Sequence, residues 1–279
     1  MEVLLPIVIL LVGPVAASYM AAYVMRDNKL TQAREARSQC DGCGRTLKWY
    51  ELVPLFSYPL LRGKCATCGH KIDPRIWLAE LWGLVIFLVL AIGVNKMLAT
   101  VSGQEAIIYT AVGTFFCLVL LYLSVYDLFT FSIPTEMTRW AVGAAILANV
   151  LFAGLRAFNA APLAAVHIGY PDNLLMALIA GGFFWAIIRL TRQKGMGIGD
   201  VILAVIIASL LGWPATVSAF YTMLISAAVA GLLWAIFKGK LRGTIIPLVP
   251  FMTLGFVVAY VWGIEIFNLL FQWPGTNLF

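Results

Sequence analysis

The sequence is poor in charge. Only 11% of its 279 residues are Asp, Glu, Lys or Arg, whereas 62% are hydrophobic. A water-soluble domain of this size carries far more charge than that, so the composition excludes one. The apolar residues instead form repeated runs of roughly 20, the length that a helix needs to cross a bilayer. We therefore expect an all-α polytopic membrane protein.

Other absences narrow the possible functions. The first apolar run has no basic segment before it and no small-residue cleavage site after it, so we interpret it as a retained membrane anchor. The glycine-rich GMGIG at 195–199 lacks the lysine and serine that complete a phosphate-binding loop. No nucleic-acid-binding motif is present, and we expect no nucleic-acid partner. Membrane topology and attraction to anionic lipid headgroups account for the net charge of +6.

About eight transmembrane helices are expected, which divide the chain into three parts. The first helix takes up residues 1–25, a small polar domain follows at 26–76, and a membrane domain extends over 77–279. The spans are predicted at 3–24, 77–95, 106–126, 140–157, 173–190, 200–212, 214–237 and 247–271. The sixth and seventh meet at Gly212-Trp213-Pro214, which fits either a kink in one long helix or a tight turn between two.

The basic residues predict the orientation of the chain. With eight spans, all 19 Lys and Arg except Lys96 and Arg156 fall on the side of the membrane that carries the polar domain. Cytoplasmic loops carry such an excess of basic residues. We therefore expect the polar domain in the cytoplasm and both chain termini on the outer side.

Two matching cysteine pairs lie in the polar domain. Cys40, Cys43, Cys65 and Cys68 have the spacing C-x2-C-x21-C-x2-C, and each pair is followed by glycine. Two such knuckles can present four thiolates to one tetrahedral ion, for which Zn²⁺ is the usual choice. The alternative is a pair of disulfides, but cytoplasmic thiols are kept reduced. We predict a structural zinc site, whose coordination stabilises a domain too small to have much core.

Two aspartates lie where predicted spans meet the same membrane surface. Asp127 is at the end of the third span, before Ile133-Pro134, and Asp200 begins the sixth span, after several glycines. Ionisable residues at such positions are costly and are therefore candidates for function. As a pair, one carboxylate can activate a water while the other, protonated, polarises a peptide carbonyl. From the residues alone two alternatives stay open: capping or solvated carboxylates, and a polar pair in a transporter.

In their order and spacing these segments resemble the bacterial prepilin peptidases, also called type IV leader peptidases. The resemblance covers most of the chain. One departure is Ile202, because the family commonly has a lysine two residues after its second aspartate. The segments that carry the resemblance are the cysteine domain with LKWYELVPLFSYPLLRGKCATCG (47–69), LAELWGLVIF (78–87), Asp127 with Ile133-Pro134, GIGD (197–200) and IPLVPFMTLG (246–255).

The resemblance implies a GxGD-type aspartic peptidase of the bacterial cytoplasmic (inner) membrane, with Asp127 and Asp200 as catalytic residues. Such an enzyme cleaves the leader from type IV prepilins or pseudopilins at the cytoplasmic face. It can then methylate the new N-terminus with S-adenosylmethionine, and the cysteine loop would be needed for this second step. The competing hypotheses are a peptidase without methyl transfer, a proton-coupled transporter with a zinc regulatory module, and a non-catalytic assembly scaffold.

Overall fold

The computed structural model describes residues 4–31, 38–100, 103–157, 168–191, 196–238 and 246–271, and these ranges are mainly helical. Within them the only extended pairing is two isolated bridges in the polar domain. That domain also contains a 3₁₀ helix, Trp49–Leu52, and one helical turn, α2. The α-helices of the described ranges are α1 Leu4–Asp27, α2 Ser57–Leu60, α3 Pro74–Thr100, α4 Gly103–Thr130, α5 Thr135–Ala157, α6 Pro171–Thr191, α7 Ile198–Leu211, α8 Ala215–Lys238 and α9 Val249–Phe271.

Each of the eight predicted spans coincides with an apolar helix, which confirms the fold class. Seven of these helices, α1, α3 to α6, α8 and α9, are long and apolar enough to cross a membrane. The sixth predicted span differs, because α7 has only 14 residues. At 1.5 Å per residue α7 is about 21 Å long, shorter than the roughly 30 Å of a bilayer's hydrocarbon core.

The Gly212-Trp213-Pro214 break is a tight turn between two helices, so the kinked-helix alternative is wrong. Helix α7 ends at Leu211, and Gly212 takes a positive φ of 64° that glycine adopts without steric cost. The backbone N–H of Trp213 then donates a hydrogen bond to the Asp172 carboxylate, 3.0 Å away at the start of α6. The turn is thereby attached to the neighbouring helix.

The long helices alternate in direction, and this produces two poles. The pole that carries the four cysteines, here called the cysteine pole, also contains the end of α4 and the starts of α7 and α9. Contacts within each pole agree with this arrangement: Tyr126 donates to Asn28 at the cysteine pole, at 3.1 Å, and Lys96 pairs with Glu265 at the opposite pole. The alternation therefore places both aspartates at one end of the bundle, as the predicted topology requires.

Helices α1 and α3 pack through glycine. A Cβ built on Gly83 would lie 2.5 Å from the carbonyl oxygen of Gly13 and 2.9 Å from the Cβ of Ala17. Membrane helices gain no hydrophobic driving force from one another in lipid, so close backbone approach and van der Waals contact hold them together. The cysteine domain lies between α1 and α3 in the sequence. The close packing of these two helices therefore holds the two ends of the domain near each other.

The basic residues that predict the orientation lie partly outside the described ranges, so the orientation stays a prediction. The residues concerned are Arg34, Arg37, Arg192, Lys194, Lys240 and Arg242.

The glycine contact leads to a stability prediction with a matched control. Gly83→Ala is expected to destabilise the protein by about 1–3 kcal/mol, because the added methyl group collides with backbone and the helices must separate. Gly143→Ala in α5 adds the same methyl group where nothing lies within 4 Å, and it is expected to be neutral or slightly stabilising.

Thermal unfolding of both variants in detergent, followed by tryptophan fluorescence, provides the comparison. Gly83→Ala should unfold at a lower temperature than the parent protein, whereas Gly143→Ala should not. Equal unfolding temperatures for the two variants would contradict the close α1–α3 contact.

Candidate active site and metal centre

The four predicted cysteines converge at the cysteine pole. Their sulfur atoms all lie within 4.8 Å of one another, and the Sγ atoms of Cys40 and Cys68 are 3.7 Å apart. With Zn–S bonds of about 2.3 Å, sulfurs at the corners of a tetrahedral site are about 3.8 Å apart. All four thiols are free, and a disulfide would require about 2.05 Å. The donor set and its spacing therefore fit a tetrahedral Zn²⁺ ion.

Each cysteine pair is held in a knuckle by the same two backbone hydrogen bonds. In the first knuckle the N–H of Cys40 donates to the carbonyl of Arg45 at 3.0 Å, and the N–H of Gly44 donates to the carbonyl of Cys40 at 2.8 Å. The second knuckle repeats this pattern at Cys65. The glycines after the pairs, Gly44 and Gly69, have φ of 69° and 70°, a left-handed conformation that explains why glycine follows each pair.

An arginine connects the metal centre to the 3₁₀ helix. The guanidinium of Arg45 donates to both carboxylate oxygens of Glu51, at 2.8 and 2.5 Å, and to the Sγ of Cys65 at 3.6 Å. These hydrogen bonds from Arg45, together with a weaker contribution from the N–H of Lys48, lower the pKa of Glu51 to about 2. Glu51 is therefore ionised at neutral pH, and Arg45 offsets part of the negative charge of the thiolates.

The thiol of Cys65 is itself prepared for ligation. Backbone N–H groups of Cys68 and Thr67 donate to its sulfur, with a further contribution from Arg45, and together they lower the pKa of Cys65 to about 6. Metal ligation requires the thiolate form. In this knuckle the effect is confined to Cys65: the N–H of His70 favours the Cys68 thiolate, but desolvation and the neighbouring cysteine sulfurs outweigh it and raise the pKa of Cys68 to about 11.

Asp127 lies in the last turn of α4, where only 7% of the residue is exposed. Its Oδ2 accepts a hydrogen bond from the backbone N–H of Val249, 3.2 Å away, at the first residue of α9. The N-terminal end of a helix carries unpaired N–H groups and partial positive charge, so it stabilises a carboxylate placed there. A buried hydroxyl pair, Ser124 with Thr253 at 2.7 Å, fixes α4 against α9 one turn deeper.

Asp200 occupies the first turn of α7 and is half-buried. Its Oδ2 accepts a hydrogen bond from the backbone N–H of Gly197, 2.9 Å away. This is the capping-box geometry, in which an acidic side chain at the third helical position reaches back to the residue before the helix. A second helix N-terminus therefore holds the second carboxylate.

The structure brings the two aspartates near one another. The segment just after Asp127 touches the segment just before Asp200, because a Cβ built on Gly199 would lie 2.7 Å from the Cδ1 of Ile133. The two carboxylates, each held by backbone N–H groups, thus share one site at the cysteine pole.

The glycines before Asp200 have different roles, which the sequence alone did not distinguish. Gly197 is exposed, and the atoms nearest a Cβ built there are an Asp200 oxygen at 3.8 Å and the Gly199 nitrogen at 4.0 Å. Gly197 therefore leaves space beside the carboxylate, as expected for substrate access. Gly199 instead makes room for Ile133, and Gly195 lies outside the described residues.

Contacts at the cysteine pole connect the aspartate site with the cysteine domain. Arg75, at the start of α3, forms an ion pair with Asp73 at 2.6 Å. The same guanidinium lies 5.0 Å from the centre of the Phe129 ring and donates to the Phe129 carbonyl at 3.4 Å. Because Phe129 is two residues after Asp127, the end of the cysteine domain and the end of α4 are held together.

One functional group at the site was not predicted from the sequence, namely the N–H of Val249. The motif that contains it, IPLVPFMTLG, was recognised only by its resemblance to the family. Its two prolines, Pro247 and Pro250, were the available signal, because proline is favoured in the first turn of a helix. A helix start at the cysteine pole could have been paired with Asp127 on that basis.

Comparisons with known proteins agree with the segments singled out above. The model of the bacterial peptidase A24 N-terminal domain matches residues 11–94. The model of the type IV leader peptidase family matches residues 114–236. The first match contains the cysteine knuckles, and the second contains both aspartates.

Curated relatives match most of the chain and carry the name prepilin leader peptidase/N-methyltransferase. The Bacillus subtilis protein is 28% identical over 83% of this chain and 84% of its own length. The Aeromonas hydrophila protein is 27% identical over 86% of this chain and 75% of its own length. The Burkholderia pseudomallei protein is 30% identical over 84% of this chain and 70% of its own length.

A comparison with solved structures found no match. The resemblance drawn from the motifs is nevertheless confirmed by the family models and by the relatives, which agree on one family. The chain belongs to the type IV leader peptidase family.

Proposed function

We propose that this protein cleaves the leader peptide of type IV prepilins or pseudopilins with Asp127 and Asp200, and then methylates the new N-terminus. The observation that carries the proposal is the meeting of two carboxylates at one pole, each held by backbone N–H groups. The relatives named prepilin leader peptidase/N-methyltransferase support both activities.

In the proposed cleavage step the two aspartates share one proton, because two neighbouring carboxylates cannot both ionise easily. The ionised carboxylate removes a proton from a water, and the resulting hydroxide attacks the peptide carbonyl carbon. The protonated partner donates its proton to the carbonyl oxygen. The C–N bond then breaks, the departing amine takes up a proton, and the leader is released with a new carboxyl terminus.

Neither hydrogen bond to the dyad depends on a side chain that could rotate away. The donor to Asp127 is the N–H of Val249 in α9, and the donor to Asp200 is the N–H of Gly197 before α7. Groups placed in advance of the reaction cost no reorganisation when charge moves. We expect these donors to fix the orientation of the carboxylates and to leave their other oxygens for water and substrate.

For the metal centre we propose that Cys40, Cys43, Cys65 and Cys68 hold one structural Zn²⁺ ion. A bound Zn²⁺ ion would join the two knuckles by four coordinate bonds. This protein's own residues provide the preparation, since the backbone bonds of each knuckle and the Arg45 guanidinium are placed around the sulfurs. Four thiolates would complete the tetrahedral shell of the ion and leave no open coordination position for catalysis.

For methyl transfer we propose S-adenosylmethionine as donor, acting on the amine that cleavage exposes. The bound donor would supply an electrophilic methyl group to that amine, leave as the uncharged thioether, and the amine would lose a proton to water. Both steps use one pole of the molecule, and Arg75 joins the cysteine domain to the end of α4. A substrate bound there can therefore meet the two centres in turn.

We propose that the cysteine pole faces the cytoplasm across the bacterial inner membrane. The excess of Lys and Arg predicted on that side supports this orientation. The polar methyl donor is a cytosolic molecule that enters lipid only at high cost. The transporter hypothesis is not favoured, since the family and the relatives are peptidases.

The dyad leads to a prediction for cleavage. Asp127→Asn and Asp200→Asn should each reduce leader cleavage by about 10³-fold or more, because removal of one member of a catalytic unit costs nearly as much as removal of the whole unit. Asp172→Asn makes the same chemical change at the opposite pole, keeps an oxygen that can accept the Trp213 N–H, and should cleave at a normal rate. Gel analysis of a purified prepilin incubated with each variant gives the rates. Near-normal cleavage by either dyad variant would rule out the mechanism.

The metal site leads to a second prediction. Purified protein should contain one zinc ion per chain by elemental analysis, and Cys40→Ala should lose it. Cys117→Ala removes a buried thiol of α4 outside the cluster and should keep the metal. We expect Cys40→Ala to impair methylation more than cleavage, because the aspartates are held by α4, α7 and α9 and not by the knuckles. Zinc-free native protein, or two disulfides found by thiol titration, would contradict the assignment.

A further inference from the structure

A cavity lies between the cysteine domain and the membrane helices, and the cleavage mechanism does not use it. It is bounded by the end of α1, by the cysteine domain and by the first turns of α3, and its volume is about 360 Å³. Binding sites for small molecules and cofactors typically measure about 300–1,000 Å³. The cavity is therefore large enough for a nucleoside-sized ligand.

A buried carboxylate without a cationic partner lines this cavity. Glu80 of α3 is only 4% exposed. It accepts a hydrogen bond from the N–H of Leu55 at 2.8 Å and another from the Ser18 side chain. Both are neutral donors, and no ion pair reaches Glu80 within the described parts of the chain. A buried carboxylate of this kind favours a ligand that brings a positive charge.

Two of the other three acidic residues of the lining differ in this respect, and the third, Asp41, accepts a hydrogen bond from the Thr31 hydroxyl. Glu51 is bound by the Arg45 guanidinium, and Asp73 is bound by Arg75. Their charges are already compensated by the protein. Of the two buried carboxylates of the lining, Glu51 and Glu80, Glu80 is thus the one for which a cationic ligand supplies most of the missing attraction.

An aromatic wall lies in the same cavity. The rings of Tyr58 and Trp77 are stacked, with centroids 5.7 Å apart and planes inclined by 19°. The indole N–H of Trp77 donates to the carbonyl of Leu55 at 3.1 Å, which fixes the ring. Aromatic faces attract organic cations and stack on flat heterocycles. The exposed ammonium of Lys71 also belongs to the lining and suits a carboxylate on the same ligand.

We propose that this cavity is the binding site for S-adenosylmethionine, with Glu80 opposite the sulfonium and the Tyr58–Trp77 wall beside the adenosyl group. The ligand combines a sulfonium, a flat purine and an amino-acid carboxylate, and each has a matching group in the lining. This assignment rests on the methyl transfer proposed above. An anionic lipid headgroup is a poorer occupant, because Glu80 would repel it.

The position of the cavity also suits the reaction. Asp73 lines it and is paired with Arg75, the residue whose guanidinium contacts Phe129 near the aspartate dyad. The Arg75–Phe129 contact links the cavity for the methyl donor to the region where cleavage would release the new N-terminus. Glu80 and the aromatic pair are therefore binding residues for the donor, separate from the dyad.

Calorimetric titration of the zinc-loaded, full-length protein in detergent tests the proposal with two ligands. S-adenosylmethionine carries the sulfonium charge, and S-adenosylhomocysteine is its uncharged thioether. Glu80→Gln should weaken binding of the charged ligand by about tenfold or more and binding of the thioether much less. Trp77→Leu should weaken both by similar factors. Glu265→Gln, a carboxylate at the opposite pole, is the matched control and should change neither affinity.

Leader cleavage and zinc content of each variant show that it is folded. Equal binding of S-adenosylmethionine by Glu80→Gln and the parent protein would overturn the cavity assignment. The assignment is also overturned if the parent methylates its product but the variants keep the parent KM for the donor. If the parent protein cleaves the leader yet neither binds the donor nor methylates the product, methyl transfer itself fails and the assignment fails with it.

Discussion

The capture of the Asp127 carboxylate by the start of α9 is the contact on which the site depends. A carboxylate with 7% exposure at the edge of a membrane bundle would be costly without hydrogen bonds to it. The N–H of Val249 provides one, and the helix N-terminus adds favourable partial charge. Helices α4 and α9, which are far apart in the sequence, are thereby joined at one atom pair, and the Ser124–Thr253 hydroxyl contact secures the same two helices below it.

The short length of α7 follows from the need to place Asp200 beside Asp127. Its N-terminus must lie beside Asp127, since Asp200 occupies its first turn, and its other end is fixed by the Gly212 turn and by Asp172. A helix of 14 residues spans only part of a bilayer. The result leaves the Asp200 carboxylate half-buried at the cysteine pole. The exposed Gly197 leaves space beside that carboxylate.

The two proposed activities use different physical devices at one pole. The proposed cleavage uses two backbone donors, at the starts of α7 and α9, and these do not require the metal. Binding of S-adenosylmethionine, the proposed methyl donor, relies on a cavity whose walls come partly from the cysteine domain. The knuckles and the Arg45–Glu51 pair therefore support it. Arg75 connects these two regions through Asp73 and Phe129. Loss of metal should therefore affect the second activity before the first.

The sequence by itself determined the membrane class, the eight apolar helices, the cysteine set and the two aspartates, because span length, residue spacing and costly charge are local properties. It did not determine that α7 is short, that Gly212 makes a turn, or that Gly199 receives Ile133. It also gave no partner for Asp127 and no cavity beside Glu80. Those features depend on which helix ends meet, and only the packing of distant segments, such as Val249 against Asp127 and Trp77 against Tyr58, decides that.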